Sequence, residues 1–205
     1  MLKGVTMKKS LAEKPYVVLD TETTGLDPVE HEVIEFCLFF PKTGVVYKSK
    51  IKPRYIEKAS PRALEVNGYK AEDYHQAPDF NKVVGSLCAM LEGHIVVGHN
   101  VSFDLNMLKG QINKMSPETK EGKNLRIPYH CIDTVTLAQE HLVPLGLESV
   151  SLDNIRKFLG FSSEKAHTAE KDVKDTYRLF DLLFRAGVRK KAKIRVIHRL
   201  FGEKK

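Results

Sequence analysis

The feature that most constrains this chain is an apolar run that ends on two acids, VVLDTETTGL at residues 17 to 26. Val17 to Leu19, following Tyr16, has the make-up of a buried strand, and such a strand either continues apolar or stops at a turn. This one stops at Asp20 and Glu22. If strand geometry persists through them, their spacing of two sends both carboxylates from the same face of a sheet. Two anions side by side at the end of a buried strand repel each other unless a cation or a shared proton compensates.

The rest of the chain sets the frame for that site. At 205 residues it is long enough for one substantial domain. No apolar run approaches the roughly 18 residues that span a bilayer, and the N-terminal MLKGVTMKKSLAEK lacks the apolar core of a secretory signal. No membrane association is therefore expected. Cys37, Cys88 and Cys131 lie far apart in apolar surroundings, where buried reduced thiols are expected, and an intracellular, cytoplasmic protein follows as the default. The net charge of +7 is uneven: residues 186 to 205 carry eight Lys or Arg against the single acid Glu203. Residues 1 to 14 read as a loose basic leader, 15 to 185 as the folded domain, and 186 to 205 as a basic tail. Basic ends on an acidic body suit a site that needs cations and ends that hold a polyanion, although solubilising termini have the same composition.

Two further strands are expected at VIEFCLFF (33 to 40) and VVYKSKIKP (45 to 53), joined by the turn PKTG, which makes an antiparallel meander. SPRALEVNGY begins a short helix at Pro61, and residues 79 to 93 carry Phe80, Val83, Val84, Leu87 and Leu91 at helical spacing before Gly93. A short strand in HIVVGHN, a helix in VSFDLNMLKGQI, a loop from Asn113 to Pro128, a strand in YHCID and a helix in TVTLAQEHL follow. SLDNIRKFLG and a long segment from Thr168 to about Arg185 supply the last helices. Strands first, then strand and helix in alternation, predict one α/β domain with a mixed sheet and helices on both faces.

At about 100° per residue, Val101, Leu105, Leu108 and Ile112 share one stripe with Asp104 at its edge, and Asn100 is placed as the preceding N-cap. The helix dipole alone would also explain an acid in that first turn. In the last helix Asp172 lines up with Thr176, Leu179 and Leu183 on the packed side. Asp175 falls toward the polar side, where an ion pair with Lys171 or Arg178 accounts for it. A carboxylate at the edge of a core should be paired or should bind a metal. Hard divalent cations prefer such oxygens, and no Cys/His cluster has zinc spacing. A site with Asp20, Glu22, Asp104 and Asp172 could hold two divalent cations such as Mg²⁺ or Mn²⁺, the arrangement that clamps the attacking and leaving oxygens of an in-line phosphoryl transfer. His167, five residues before Asp172, titrates near neutral pH and suits a general base, though a lone loop histidine is most often a solvated surface residue.

DTETTGL at 20 to 26, GHNVSFDLNML at 98 to 108 and HTAEKDVKDTYRLF at 167 to 180 resemble, in order, the three exonuclease motifs of the DnaQ-like, DEDDh family of 3′→5′ exonucleases, which includes the epsilon proofreading subunit of bacterial DNA polymerase III. The resemblance covers roughly residues 15 to 185. It implies an RNase H-like fold, a mixed five-stranded sheet with a three-strand meander flanked by helices. It also implies that Asp20, Glu22, Asp104 and Asp172 bind metal, with Asp20 shared between two ions, and that His167 is the general base. The implied reaction hydrolyses the 3′-terminal phosphodiester and releases a nucleoside 5′-monophosphate. Thr23, Leu26, Arg62, Asn67, Asn100 and Phe103 resemble the positions that meet the terminal nucleotide. RALEVNGY departs from the family form, which often has His where Asn67 stands and Ile where Tyr69 stands.

Nucleic acid 3′ ends are thus the expected partner. TETTGL and GHNVSFD look more like the polymerase-associated and phage exonucleases, a resemblance that implies DNA, with single-stranded DNA the favoured form; RNA is the alternative, because RNase T and oligoribonuclease share the family. A catalytically silent nucleic-acid-binding module is the rival from another class, and the filled catalytic positions argue against it. The tail VRKKAKIRVIHRLFGEKK, with Ile194, Ile197 and Phe201 at helical spacing, is a candidate docking segment for nucleic acid or for a polymerase subunit carried on a separate chain.

Overall fold

A computed structural model describes residues 14–120, 124–162 and 168–185. Residues 1–13 of the basic leader, the tail and His167 lie outside the described residues. Five strands form one mixed sheet in the order β3-β2-β1-β4-β5: β1 Tyr16–Thr23, β2 Val33–Phe40, β3 Val45–Lys50, β4 Ile95–Gly98 and β5 Cys131–Asp133. The first three strands pair antiparallel, and β1–β4 and β4–β5 pair parallel. The expected meander and mixed sheet are both present.

Eight α-helices surround the sheet among the described residues: α1 Pro61–Val66, α2 Ala71–Tyr74, α3 Phe80–Leu91, α4 Val101–Asn113, α5 Pro117–Lys120, α6 Thr134–His141, α7 Leu152–Leu159 and α8 Ala169–Phe180. A π-helical turn, Asp181–Arg185, extends α8 to the expected end of that segment. Neither α2 nor α5 was legible in the pattern, and both are single turns with few apolar residues. No helix among the described residues is long and apolar enough to cross a membrane.

Alternation along the central strands sorts the core into two layers. Val17 and Leu19 of β1 join Phe36 and Leu38 of β2 against α3 and α4, in a cluster with Leu87, Leu91, Leu105 and Leu108. Val18, Cys37 and Val97 face the other way, onto Val173 and Phe180 of α8. A third cluster, with Ala138, Ile155, Leu159, Leu179 and Leu183, ties α6 and α7 to α8. By the same parity Asp20 and Glu22 belong to the α8 face and Thr21 to the α4 face.

Two local expectations are corrected. Cys131 is exposed, because β5 is the edge strand and only three residues long, whereas Cys37 and Cys88 are buried thiols as expected. Asn100 does precede α4, but its side chain does not cap it: the residue takes a left-handed backbone conformation with φ 68°. Its N–H instead donates to Asp133 Oδ1, at 2.9 Å, at the end of β5. The turn from β4 into α4 is tight, since a Cβ on Gly98 would lie 2.8 Å from Val101 Cβ.

Candidate active site

Strand geometry does persist through the two acids, and β1 runs to Thr23. Pairing of β1 with β4 ends at Val18↔Val97, whereas pairing with β2 continues through Glu22↔Glu35. The acids therefore stand where the parallel strand stops and the chain turns into α4, at the carboxyl ends of the parallel strands, the usual location of a crevice in an open α/β sheet.

Three elements bring the four predicted acids into one electrostatic group. Burial first, then the charges of Asp104, Glu22, Asp172 and Glu35, hold the Asp20 carboxyl well above the usual carboxylate range. Asp104 comes from the first turn of α4 and is 4% exposed. Burial pushes it up to about 7, with Glu22 adding to the rise, although the Thr21 hydroxyl opposes the shift by donating to Asp104 Oδ1 at 2.7 Å. A surface acid tuned by the helix dipole would be neither buried nor raised, so that reading of Asp104 is set aside. Asp172 lies in the first turns of α8, whose N-cap Thr168 accepts from Lys171 N–H, and its Oδ1 accepts from Arg156 Nη2.

The donor set fits a divalent cation. All four groups are hard carboxylate oxygens, and at least two carry a proton affinity that mutual repulsion and burial have raised, the condition a bound cation relieves. Among the described residues no three metal-binding side chains are already drawn together around one point; Thr21 donates to Asp104 and Arg156 to Asp172.

Around the acids, the residues expected to meet a nucleotide fall into two sets. Leu26 is 80% exposed on the β1–β2 loop. Arg62 is exposed at the start of α1. Phe103 is partly buried against the core. Thr23 is buried, and its hydroxyl donates to Gly25 O at 2.8 Å, so its side chain shapes the loop. Asn67 donates from Nδ2 to Thr23 O at 2.7 Å and pins the end of α1 to the same loop. Beside Asn67, Val66 is 65% exposed, a second apolar surface on that rim which its place in a short helix gave no reason to single out.

Two other residues, Glu35 and His99, carry no expectation from the sequence. Glu35 faces Glu22 across β1 and β2 and adds charge to Asp20; an acid inside the otherwise apolar VIEFCLFF was the available signal. His99 is held between Thr134 Oγ1 at 2.9 Å and Val150 O at 2.8 Å, and burial lowers its affinity for a second proton. Asp175 is a correction. It is 4% exposed, and Arg156 Nε, at 2.7 Å, and Lys171 both donate to its carboxylate. The expected pair with Lys171 forms, but Arg178 stacks over the Phe161 ring instead. The helical angle placed Asp175 toward solvent because it could not include α7, which covers that side with Arg156.

A separate cleft of about 450 Å³ lies away from the acids, between residues 52 to 58 and the C-terminal end of α4. Lys52, Arg54, Lys58 and Lys114 line it with Tyr55, while Glu32 accepts the N–H groups of Arg54 and Tyr55 at 2.9 and 2.8 Å. None of the predicted catalytic residues lines it.

A family model described as Exonuclease (RNase_T) matches residues 17–180. DNA polymerase III PolC-type of Thermotoga petrophila is 30% identical over 201 residues, which is 95% of this chain but only 14% of that protein. DNA polymerase III subunit epsilon of Aquifex aeolicus is 28% identical over 194 residues, 91% of each chain. Among solved structures, E. coli exonuclease I bound to single-stranded DNA superposes with a TM-score of 0.67 at 19% identity, covering 90% of this chain and 43% of that one. That likeness is one of fold, and the sheet order above is that of an RNase H-like domain. The ordered motifs and the family match over residues 17–180 lead to one conclusion: the chain belongs to the DnaQ-like exonuclease family.

Proposed function

We propose that this domain is a 3′→5′ exonuclease that shortens DNA, preferentially single-stranded, from its 3′ end and releases nucleoside 5′-monophosphates. The observation that carries the reading is the Asp20 carboxyl, raised by burial and by the charges of three further acids that the motifs single out, Asp104, Glu22 and Asp172. Asp20, Glu22, Asp104 and Asp172 would hold two divalent cations, Mg²⁺ or Mn²⁺, which when bound supply charge stabilisation to the phosphoryl group under attack.

The chain's own residues do the rest. His167 accepts the proton of the attacking water at an imidazole nitrogen, a role its position before α8 supports and one that needs the neutral ring. Leu26 and Val66 present apolar surface to the terminal base, and Arg62, Asn100 and Phe103 are the further residues proposed to meet the terminal nucleotide. Asn67 and the Thr23 hydroxyl keep the β1–β2 loop in the shape that offers Leu26. Lys52, Arg54, Lys58 and Lys114 suit the phosphates of the strand behind the 3′ end, with Tyr55 available for base stacking. The epsilon and PolC relatives are named for DNA polymerase III, which favours DNA over RNA.

The test is a time course on 3′- and 5′-labelled single-stranded DNA and matched RNA with Mg²⁺, Mn²⁺ or EDTA, beside Asp20→Asn. Shortening from the 3′ end that needs metal and vanishes in Asp20→Asn is expected, faster on DNA. Folded protein that binds DNA but leaves every substrate intact would replace this reading with that of a silent binding module.

A further inference from the structure

We propose that Arg156 is a positioning residue that sets the Asp172 carboxylate for metal binding. The inference rests on the reading of Asp172 as a ligand and adds a residue that none of the three motifs contains.

Arg156 should not be where it is. It lies on the packed face of α7, between the core residues Ile155 and Leu159, and is 2% exposed, one of the largest fully buried side chains among the described residues. Burying a guanidinium is costly unless its charge and its N–H groups are all met. Here three carboxylates meet it, each on a different nitrogen. Nε donates to Asp175 Oδ2 at 2.7 Å, Nη1 to Asp153 Oδ1 at 2.8 Å, and Nη2 to Asp172 Oδ1 at 2.5 Å.

The three acids are not equivalent. Asp175 is buried and also paired with Lys171, and Asp153 is half-exposed and one turn away on α7 itself. Those two would suffice to balance and anchor one buried cation between α7 and α8. The third arm falls instead on Asp172, the acid of α8 whose charge reaches Asp20. Every hydrogen bond to the Asp172 side chain among the described residues is to Oδ1, so Oδ2 remains for another partner. A planar fork already fixed at Nε and Nη1 dictates where Nη2 points and therefore how the Asp172 carboxylate is turned. A lysine, one point charge on a flexible stem, would satisfy Asp175 without fixing Asp172.

Residues that orient a ligand from behind typically change metal affinity or activity by about 10–100-fold when replaced. The variants to compare are Arg156→Lys, which keeps a cation for Asp175, and the double variant Arg156→Met/Asp175→Leu, which replaces the buried pair by apolar volume and guards against a folding defect in the first. Mn²⁺ binding is read from the loss of the free-ion electron paramagnetic resonance signal, beside thermal melts in EDTA and the Mn²⁺ concentration for half-maximal hydrolysis. Both variants are expected to melt close to wild type while binding Mn²⁺ about 10–100-fold more weakly, with half-saturation of activity displaced in parallel. Asp172→Asn is expected to weaken Mn²⁺ binding at least as much.

The outcomes separate the proposal from the reading beneath it. Wild-type binding that Asp172→Asn weakens but a folded Arg156 variant does not would overturn the role of Arg156 alone. Wild-type protein that takes up no Mn²⁺, or takes it up equally after Asp20→Asn and Asp172→Asn, would remove the metal site and this inference with it.

Discussion

Asp104 is a carboxyl that the fold holds as an acid of about 7, chiefly because it is buried, against an ordinary value of 3.8. A raised carboxyl penalises the folded state once it ionises. Below its unfolded value both states keep the proton and nothing is lost; as pH rises from about 4 toward 7 the unfolded chain ionises while the folded protein keeps its proton, so stability falls, and above that window the penalty is complete. Asp104→Asn removes the ionisation and keeps an Oδ1 acceptor for the Thr21 hydroxyl. In EDTA the variant is expected to melt above wild type at about pH 8, with the advantage fading toward about pH 5. Added Mn²⁺ should reverse the ranking at the higher pH, since a ligand that binds only the folded state stabilises only the protein that can bind it. Parallel melting curves for the two proteins across that range would show that Asp104 does not titrate as the structure requires.

At the scale of elements, α4 links the acid site to the loop that presents Leu26. Its first turn delivers Asp104, and its far end holds the β1–β2 loop: Gln111 Oε1 accepts from Val33 N–H at 2.6 Å, and a Cβ on Gly110 would lie 2.3 Å from Pro28 O. Gly110→Ala must therefore push backbone aside, at a cost of about 1–3 kcal/mol, and is expected to raise KM for single-stranded DNA more than it lowers kcat. Gly85→Ala in α3 is the matched control, because its Cβ would meet nothing within 4 Å and alanine gains about 0.5–1 kcal/mol in a helix interior. Equal effects of the two substitutions on KM would show that the loop is not held by α4. These elements differ in how far sequence alone exposes them. Strands β1 and β2 and helices α3, α4 and α8 are written in apolar periodicity, with the motif acids at fixed phases on β1, α4 and α8, so these elements and a mixed sheet with helices on both faces are readable. The Arg156 network and the turn at Asn100 were not, because each depends on a partner from a distant element, Asp175 and Asp172 of α8 in one case and Asp133 of β5 in the other. Asp175 shows the limit most plainly: helix phase places a residue relative to its own axis, and only the packing of α7 turns that side inward.

Over the whole molecule, charge is divided between a site built of carboxylates and a surplus held elsewhere. Residues 186 to 205 carry eight basic side chains and one acid, which equals the net charge of +7 for the entire chain. On the proposed function the acids receive a polyanion, and a strand approaching Asp20 would then meet repulsion that bound cations and basic surface offset. The cleft cations supply part of that surface close to the folded body. The tail would supply a longer-ranged part, which is screened at high salt. Removing residues 186 to 205 is expected to leave turnover of a nitrophenyl ester of thymidine 5′-monophosphate unchanged, since that substrate has no strand to hold. Binding of single-stranded DNA should weaken, and the slope of log affinity against log salt should become shallower by about 0.7 for each phosphate that the tail had neutralised. Truncation that leaves both affinity and slope intact would assign strand binding to the folded body, with Lys52, Arg54, Lys58 and Lys114 as the residues to replace next. Truncation that abolishes ester turnover as well would instead make the tail part of the fold around α8, whose final turn ends at Arg185.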